Sequence, residues 1–353
     1  MFTLRGWLLL GAALACCSFV GAAEPAKPTP LAELGANRKD EPLAKKFSIE
    51  RATRFLDAAS LAWQKEKKCF TCHTNYAYLY ARPAVSGDAD AHKQVRRFAE
   101  ELVRERWQKE GPRWDAEVVA TAAALAFNDS ATTGKLHPLT RTALDRMWTV
   151  QRKDGGWNWL KCAWPPMESD DHYGATLAAL AVGVAPGGYA KTEAAQKGLA
   201  KIRDYLKKNP PVHVHHRAMI LWVSTHLDGF MTDAEKQDCV KEPSALQKAD
   251  GGWALATLGN YTRADKKEQD LDTSDGYATG FVVYVLRRAG VPAGDARIKK
   301  GVAWLKANQR ESGRWFTRSA NKDTKHYISH AGTAFAVMAL AECGEIARPS
   351  ARR

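Results

Sequence analysis

Two cysteines and a histidine near the start of the chain have a spacing associated with cofactor attachment. Cys69, Cys72 and His73 form a Cys-x-x-Cys-His motif. In this motif the two thiols can bond the vinyl groups of a haem, and the imidazole can bind its iron. The motif therefore predicts haem c, with His73 as an iron ligand. The candidates for the sixth iron ligand are His92, Met147, Met167 and the histidines within 213–216.

The same three residues have two other interpretations. Cys69 and Cys72 could form a local disulfide, or they could bind zinc together with His73. The other cysteines are Cys16, Cys17, Cys162, Cys239 and Cys343. Without the two in the N-terminal segment the number is odd, so they cannot all pair internally. Haem c, a disulfide and a zinc site all remain open at this point.

A second group of reactive side chains precedes several apolar segments. In Glu168-Ser169-Asp170-Asp171 the clustered carboxylates could hold a proton at a raised pKa, which makes Asp170 and Asp171 candidate catalytic acids. Histidines occupy similar positions, namely His172, His213, His215, His216, His326 and His330. They could bind a metal, although no fixed metal-binding spacing accompanies them. Alternatively, the acids only cap helices.

A repeated unit separates these side chains and predicts paired helices. Gln, three residues, Gly, one residue and Trp recur at 151–157, 247–253 and 309–315, and 108–114 has its glycine one place early. Each of these tails follows a segment with helical periodicity. Asp-Gly-Gly, present in two of the tails, is typical of a helix end followed by a reversal of the chain. A second, more apolar helix is expected after each tail.

Counting these units predicts six helical hairpins. The amphipathic first helices are expected near 48–64, 93–109, 138–151, 193–208, 233–247 and 295–309. The apolar second helices are expected near 75–82, 116–127, 173–184, 216–227, 277–289 and 329–343. Such hairpins bury the apolar helix, and neither terminal repeat has the polar face that caps an open solenoid. The sequence predicts an all-α (α/α)6 toroid over residues 47–345.

The repeated unit resembles the QW repeat of squalene–hopene cyclases and related prenyltransferase-like proteins, most closely at 300–315. The resemblance implies that the Gln and Trp side chains join the outer helices to the turns. It also implies that Asp170 is a proton donor, because class II terpene cyclases protonate an alkene through the third position of a D-x-D-D motif. Glu168 in the first position, the shorter chain and the Cys-x-x-Cys-His insertion depart from that family.

The ends of the chain indicate export. Residues 1–23 have the basic start, apolar run and small residues of a secretory signal peptide. An extension is expected at 24–46, and a basic tail at 346–353. The formal net charge is +13, but the excess is scattered and no nucleic-acid motif accompanies it. No later segment is long and apolar enough to span a membrane, so we expect a periplasmic or extracellular protein.

Three functions are consistent with these features. The first is an exported toroid with haem c, which acts with a redox partner or binds an apolar or extended ligand such as an isoprenoid. The second is an enzyme, terpene cyclase-like or polysaccharide-acting, that uses Asp170 and Asp171 at the mouth of the cavity. The third is a structural or interaction toroid with a Cys69–Cys72 disulfide. A cavity lined by Trp and Phe would favour an isoprenoid, and an open polar cleft would favour a sugar.

Overall fold

The computed structural model describes residues 34–70, 72–85 and 90–347, which form six helical hairpins. Within these ranges the chain is helical, and the only strand-like pairings are two isolated bridges. No helix of the described part is both long and apolar enough to cross a membrane. The predicted signal peptide, the start of the extension and most of the basic tail lie outside the described residues. The predicted all-α class is confirmed.

The first helices of the hairpins form the outer layer of the molecule. They are Ile49–Lys67, Asp90–Glu101, Pro138–Thr149, Glu193–Lys208, Asp233–Ala245 and Ala296–Ala307. The second continues through a π-helical turn to Lys109. In the fourth, the Thr192 side chain caps the N-terminus, and the apolar side chains of Leu199 and Ile202 face inward. The predicted bounds agree with these to within a few residues.

The second helices form the inner layer and are almost wholly buried. They are Cys72–Tyr76 with Ala77–Ala81, Asp115–Thr132, Asp171–Val184, Val214–Ser224, Gly276–Arg288 and Ile328–Glu342. Each inner helix packs against the inner helix of the next hairpin, and the sixth packs against the first. The layer therefore closes into a ring, and the predicted (α/α)6 toroid is confirmed.

Three buried tryptophans join the turns to the outer helices. Trp157, Trp253 and Trp315 are fully buried. Each indole N–H donates a hydrogen bond of 2.6–3.2 Å to a backbone carbonyl ten residues earlier, near the end of its own outer helix. Because the ring fills the space between hairpins while its N–H is satisfied, the indole fixes the angle between turn and helix.

The repeated glutamines join each turn to another hairpin. The Gln151 amide donates to a carbonyl in its own turn and to the carbonyl of Gly198 in the fourth outer helix. Gln309 makes the same pair of bonds across the ends of the ring, because its second acceptor is Ser48, the N-cap of the first outer helix. The Ser48 N–H also donates back to Gln309 Oε1 at 2.8 Å. The last repeat therefore holds the first hairpin.

The glycine of the repeat is required by a close approach between hairpins. Gly313 has φ +95°, and a Cβ atom there would lie 2.3 Å from the backbone of Arg51 in the first outer helix. Gly111, the glycine one place early in the second unit, has φ +76° and no atom within 4 Å of a Cβ position. The turn of the second unit therefore lacks the tight packing that the other tails share.

Aromatic side chains fill the centre of the ring. Trp222 of the fourth inner helix contacts Phe127, Tyr284 and Phe335 at centroid distances of 5.2–6.1 Å. Tyr80 of the first inner helix contacts Phe127 at 4.3 Å. These rings come from five inner helices and meet across the axis. A ligand would have to displace a packed core to occupy this centre, so binding is expected at the mouth instead.

We expect Trp157→Ala, Trp253→Ala and Trp315→Ala each to lower the free energy of unfolding by about 3–5 kcal/mol, because each removes a buried indole and leaves a cavity. Trp114→Ala is the matched control, since Trp114 is 40% exposed, and it should cost less than about 0.5 kcal/mol. Urea unfolding followed by circular dichroism measures both. Wild-type stability in the three buried variants would contradict the joining role of the indoles.

Candidate active site

The inner helices begin at one mouth of the ring, where the candidate side chains meet. The mouth loop (residues 158–170) connects the Trp157 turn to the third inner helix. The indole N–H of Trp159 donates to Met167 O at 2.7 Å, and the backbones of Trp164 and Glu168 exchange two hydrogen bonds. These contacts hold the acidic part of the loop over the start of the first inner helix, which carries His73.

A narrow pocket, with room for about one water molecule in this packing, lies beneath the mouth loop. Its apolar walls include Trp164, Met167 and Tyr327, and its polar groups include His73, Glu168 and Lys325. We call it the mouth pocket. Mostly apolar walls with a few placed polar groups are typical of small-molecule sites. The cysteine-histidine motif and the acidic segment, which are distant in sequence, therefore share one pocket.

Glu168 is a buried carboxyl group of the mouth pocket. Its residue is 7% exposed. Burial raises its pKa to about 7, and a hydrogen bond from the Cys72 thiol offsets only part of that rise. A carboxyl group that titrates near neutral pH can both donate and accept a proton during a reaction. Glu168 therefore has the property that was expected of Asp170.

Asp170 has the opposite environment, although it lies two residues from Glu168. Its Oδ1 accepts the Tyr173 N–H as the cap of the third inner helix, and its Oδ2 lies 3.2 Å from His216 Nε2 and accepts the Ser169 hydroxyl. Burial alone would raise the pKa of Asp170. The hydrogen bonds and the charge of His216 have the larger effect and hold this pKa well below its usual range. These contacts favour an ionised carboxylate over a proton donor.

Asp171 is bound to the scaffold. Its Oδ2 pairs with the Arg152 guanidinium of the preceding turn at 2.5 Å, and its Oδ1 accepts the Trp159 N–H. Asp275 takes a related place in the fifth inner helix, where it caps Ala278. The helix-capping alternative thus describes Asp170, the N-cap of the third inner helix, whereas Asp171 is the first helical residue and pairs with Arg152. The catalytic role of Asp170 and Asp171 stays a prediction.

The histidines of the mouth form a stacked cluster. The rings of His172 and His216 stack at 4.2 Å, and His213 lies 4.6 Å from His216. Burial lowers the pKa of His172 to about 3, so this ring is neutral, and neither of its nitrogens has a hydrogen-bond partner among the described residues. Within the residues that the structure describes, no three His, Cys, Asp or Glu side chains are arranged to hold a metal ion.

The residues of the haem motif supply suitable donors but little room. Cys69 and Cys72 are free thiols. The His73 residue is 6% exposed, and its ring packs edge-on against Trp63 at 4.7 Å and is stacked with Tyr327 at 5.7 Å. The mouth pocket is far smaller than the about 300–1,000 Å³ of small-molecule sites, so a broad porphyrin does not fit there in this packing. Haem c stays a prediction of the motif.

The proposed sixth ligands occupy different parts of the fold. Met167 lines the mouth pocket together with His73. Met147 is buried in the third outer helix. His92 hydrogen-bonds Asn128 near the C-terminal end of the second inner helix, on the side of the ring opposite the mouth. The fold therefore brings only Met167 of these three to the histidine of the motif.

Sequence reasoning assigned the wrong weight to Glu168 and missed two groups of the mouth pocket. Glu168 was noted only as a departure from an aspartate motif, although it is the acid that the fold buries. Tyr327 and Lys325 belong to the last hairpin and meet His73 only because the ring closes. No local pattern marks them, and an acid preceded by the apolar residues Pro165, Pro166 and Met167 was the available signal for Glu168.

The comparisons with known proteins concern the fold. Neither a protein-family model nor a curated protein matches the sequence. Among solved structures, ent-copalyl diphosphate synthase from Streptomyces platensis is similar with a TM-score of 0.50 and 17% identity, over 76% of this chain and 50% of that chain. This chain thus spans about half the length of that synthase. The similarity shows that the chain has the α/α toroid fold of a terpene cyclase.

Two other solved structures are similar at lower TM-scores. Type II terpene cyclase MstE from Scytonema has a TM-score of 0.49 and 13% identity, over 84% of this chain and 99% of that chain. The α-1,6-mannanase GH76A of Salegentibacter sp. HEL1_6, solved with α-1,6-mannotriose, has a TM-score of 0.47 and 11% identity, over 76% of this chain and 88% of that chain.

We expect Glu168→Gln to change how stability depends on pH. The carboxyl pKa is about 7 in the folded protein and has an ordinary value of 4.5, so between these values the folded state keeps a proton that the unfolded chain has released. Wild-type stability should therefore fall relative to the variant by about 3 kcal/mol as pH rises through this window. Urea unfolding from about pH 4 to about pH 8 measures the difference. A constant difference would contradict the buried acid.

We expect the haem prediction to be decided by the intact mass of protein exported with haem-attachment machinery. A protein heavier by one haem, with Soret absorbance, requires both thiols, so Cys69→Ala with Cys72→Ala should abolish attachment, and His73→Ala should disturb iron ligation. A mass lower by two hydrogens and no Soret band would instead show a Cys69–Cys72 disulfide.

Proposed function

We propose that the protein is an enzyme that transfers a proton to or from a small, largely apolar substrate at the mouth pocket, whose walls must move apart to admit it. The observation that carries the proposal is the opposite treatment of two nearby carboxyl groups. Burial brings the pKa of Glu168 to about 7, while hydrogen bonds hold Asp170 ionised. Paired groups whose environments separate their pKa values are the usual arrangement of acid and base in active sites.

Glu168 is the general acid–base in this proposal. Its carboxyl group lines the pocket and can hold a proton at neutral pH, so it can protonate a substrate atom within hydrogen-bond reach and later take a proton back. Asp170 keeps its negative charge at the same mouth through His216 and the helix start. That charge would stabilise positive charge that develops on the substrate.

The walls of the pocket support an isoprenoid-like substrate over a sugar. Trp164, Met167 and Tyr327 are apolar or aromatic, and Glu168, His73 and Lys325 are the polar groups that would orient an oxygen function. An open polar cleft, which a polysaccharide would need, is not what these residues form. The toroid fold of terpene cyclases is compatible with this substrate class, but the assignment comes from the residues of the pocket.

We expect the wild-type protein to convert an unsaturated isoprenoid alcohol into an isomer, separated and detected by gas chromatography–mass spectrometry, and to leave an α-linked oligosaccharide unchanged. Glu168→Gln should lower turnover by about 100-fold or more, because general acid–base catalysis contributes about 10²–10⁴-fold. Because the reaction begins with protonated Glu168, the turnover rate should fall as pH rises above about 7.

Asp171→Asn is the matched control, because it changes a neighbouring carboxylate that pairs with Arg152 outside the pocket. It should keep most of the turnover. Full activity in Glu168→Gln would contradict the proposed acid. Cleavage of the oligosaccharide with no conversion of the isoprenoid would contradict the substrate class.

Haem c at Cys69, Cys72 and His73 is the second candidate, with a redox role and an electron-transfer partner. Its support is that the two thiols are unbridged and that the histidine lines a pocket. Attachment also requires export, which the N-terminal sequence predicts. The acid–base function is the preferred proposal because the buried carboxyl group of Glu168 is a property of the folded pocket, whereas haem c rests on the sequence motif.

A further inference from the structure

The N-terminal strap (residues 34–47) reaches the motif histidine through a chain of hydrogen bonds. The strap packs along the turn of the last hairpin, where Arg314 donates to the side chain of Asn37 at 2.6 Å and pairs with Glu41 at 2.8 Å. Asn37 Nδ2 lies 3.5 Å from Nε2 of His330, in the sixth inner helix. A segment that precedes the ring therefore contacts a histidine of the mouth.

The same hydrogen bonds continue from His330 to His73. Nδ1 of His330 is 3.0 Å from the Thr74 hydroxyl, and that hydroxyl is 2.8 Å from Nδ1 of His73. Thr74, His330 and His73 are all buried. A hydroxyl group has one proton, so Thr74 can donate to only one of the two imidazoles and must accept from the other.

The strap decides the direction of this chain. A guanidinium can only donate, so the Asn37 atom facing Arg314 must be the carbonyl oxygen, and the amide NH₂ of Asn37 must face His330. An amide NH₂ group can only donate, so Nε2 of His330 must accept. An imidazole whose Nε2 accepts a hydrogen bond is neutral, so the one proton of His330 is on Nδ1.

The direction of hydrogen-bond donation at Thr74 then fixes the tautomer of His73. The Nδ1–H of His330 donates to Thr74, and the Thr74 hydroxyl donates to Nδ1 of His73. Because Nδ1 of His73 accepts this hydrogen bond, the imidazole carries its one proton on Nε2. We propose that Asn37 and Thr74 are positioning residues that hold His73 as an Nε2–H hydrogen-bond donor.

This tautomer has a consequence for each candidate function. A histidine that binds iron through Nε2 needs a lone pair on that atom, whereas here Nε2 carries the proton. Iron ligation would require the chain to reverse, which would set the N–H of His330 against the NH₂ of Asn37. An Nε2–H group instead suits a substrate oxygen in the mouth pocket; this use of the N–H rests on the proposed function.

Nitrogen-15 NMR of histidine-labelled full-length protein tests the tautomer directly. At about pH 9, where imidazoles are neutral, the wild-type protein should show His73 with a protonated Nε2 and an unprotonated Nδ1. His73→Gln assigns the signals by removing them. Asn37→Asp replaces the donor with an acceptor, so the two His73 nitrogen signals should exchange their protonated and unprotonated shifts.

Lys39→Gln is the matched control, since Lys39 is a strap residue that pairs with Asp270 and leaves His73 unaffected. Thr74→Val cuts the chain and should populate both tautomers, which keeps the test open if Asn37→Asp does not fold. A wild-type His73 protonated on Nδ1, or unchanged signals in Asn37→Asp or Thr74→Val, would overturn the proposal. Failure of the proposed function would appear separately, as full turnover in Glu168→Gln with these spectra unchanged.

Discussion

The closure of the ring by its last repeat is the interaction on which the rest of the structure depends. Gln309 exchanges hydrogen bonds with Ser48, and Gly313 lies against the backbone of Arg51, so the sixth hairpin holds the first as the earlier units hold their neighbours. Without this joint the first and sixth inner helices would expose apolar faces to water. With it, each inner helix is buried on all sides, and the polar groups at its start are partly buried too.

Burial at the mouth produces the chemistry of the candidate site. A carboxyl group that loses water without gaining strong hydrogen-bond donors keeps its proton, as Glu168 does. A carboxyl group that gains a helix N-terminus and an imidazole releases it, as Asp170 does. Two residues separate these outcomes along the chain. The mouth loop turns one side chain towards the pocket and the other towards the histidine cluster, and this turn creates the difference.

Aromatic side chains fill the centre of this ring. Trp222, Phe127 and Phe335 pack together at the centre, so the apolar surfaces of the inner helices are buried against one another. In the proposed function, a ligand would contact the apolar side chains of Trp164 and Tyr327 at the mouth. The N-terminal strap adds to these contacts, because it packs on the turn of the last hairpin and contacts His330. Stability and the properties of the site are therefore supplied by the same contacts.

The sequence alone determined the architecture, because helical periodicity and the bond from each tail Trp to its own outer helix act over distances of about ten residues or fewer. Six hairpins, their approximate bounds and the structural role of Trp157, Trp253 and Trp315 could all be predicted. Only the tertiary structure decided which carboxyl group of the acidic segment has a raised pKa. Glu168 is buried by contacts with Cys72 from another hairpin, and the state of His73 depends on Asn37, so these properties arise from residues that meet only when the ring closes.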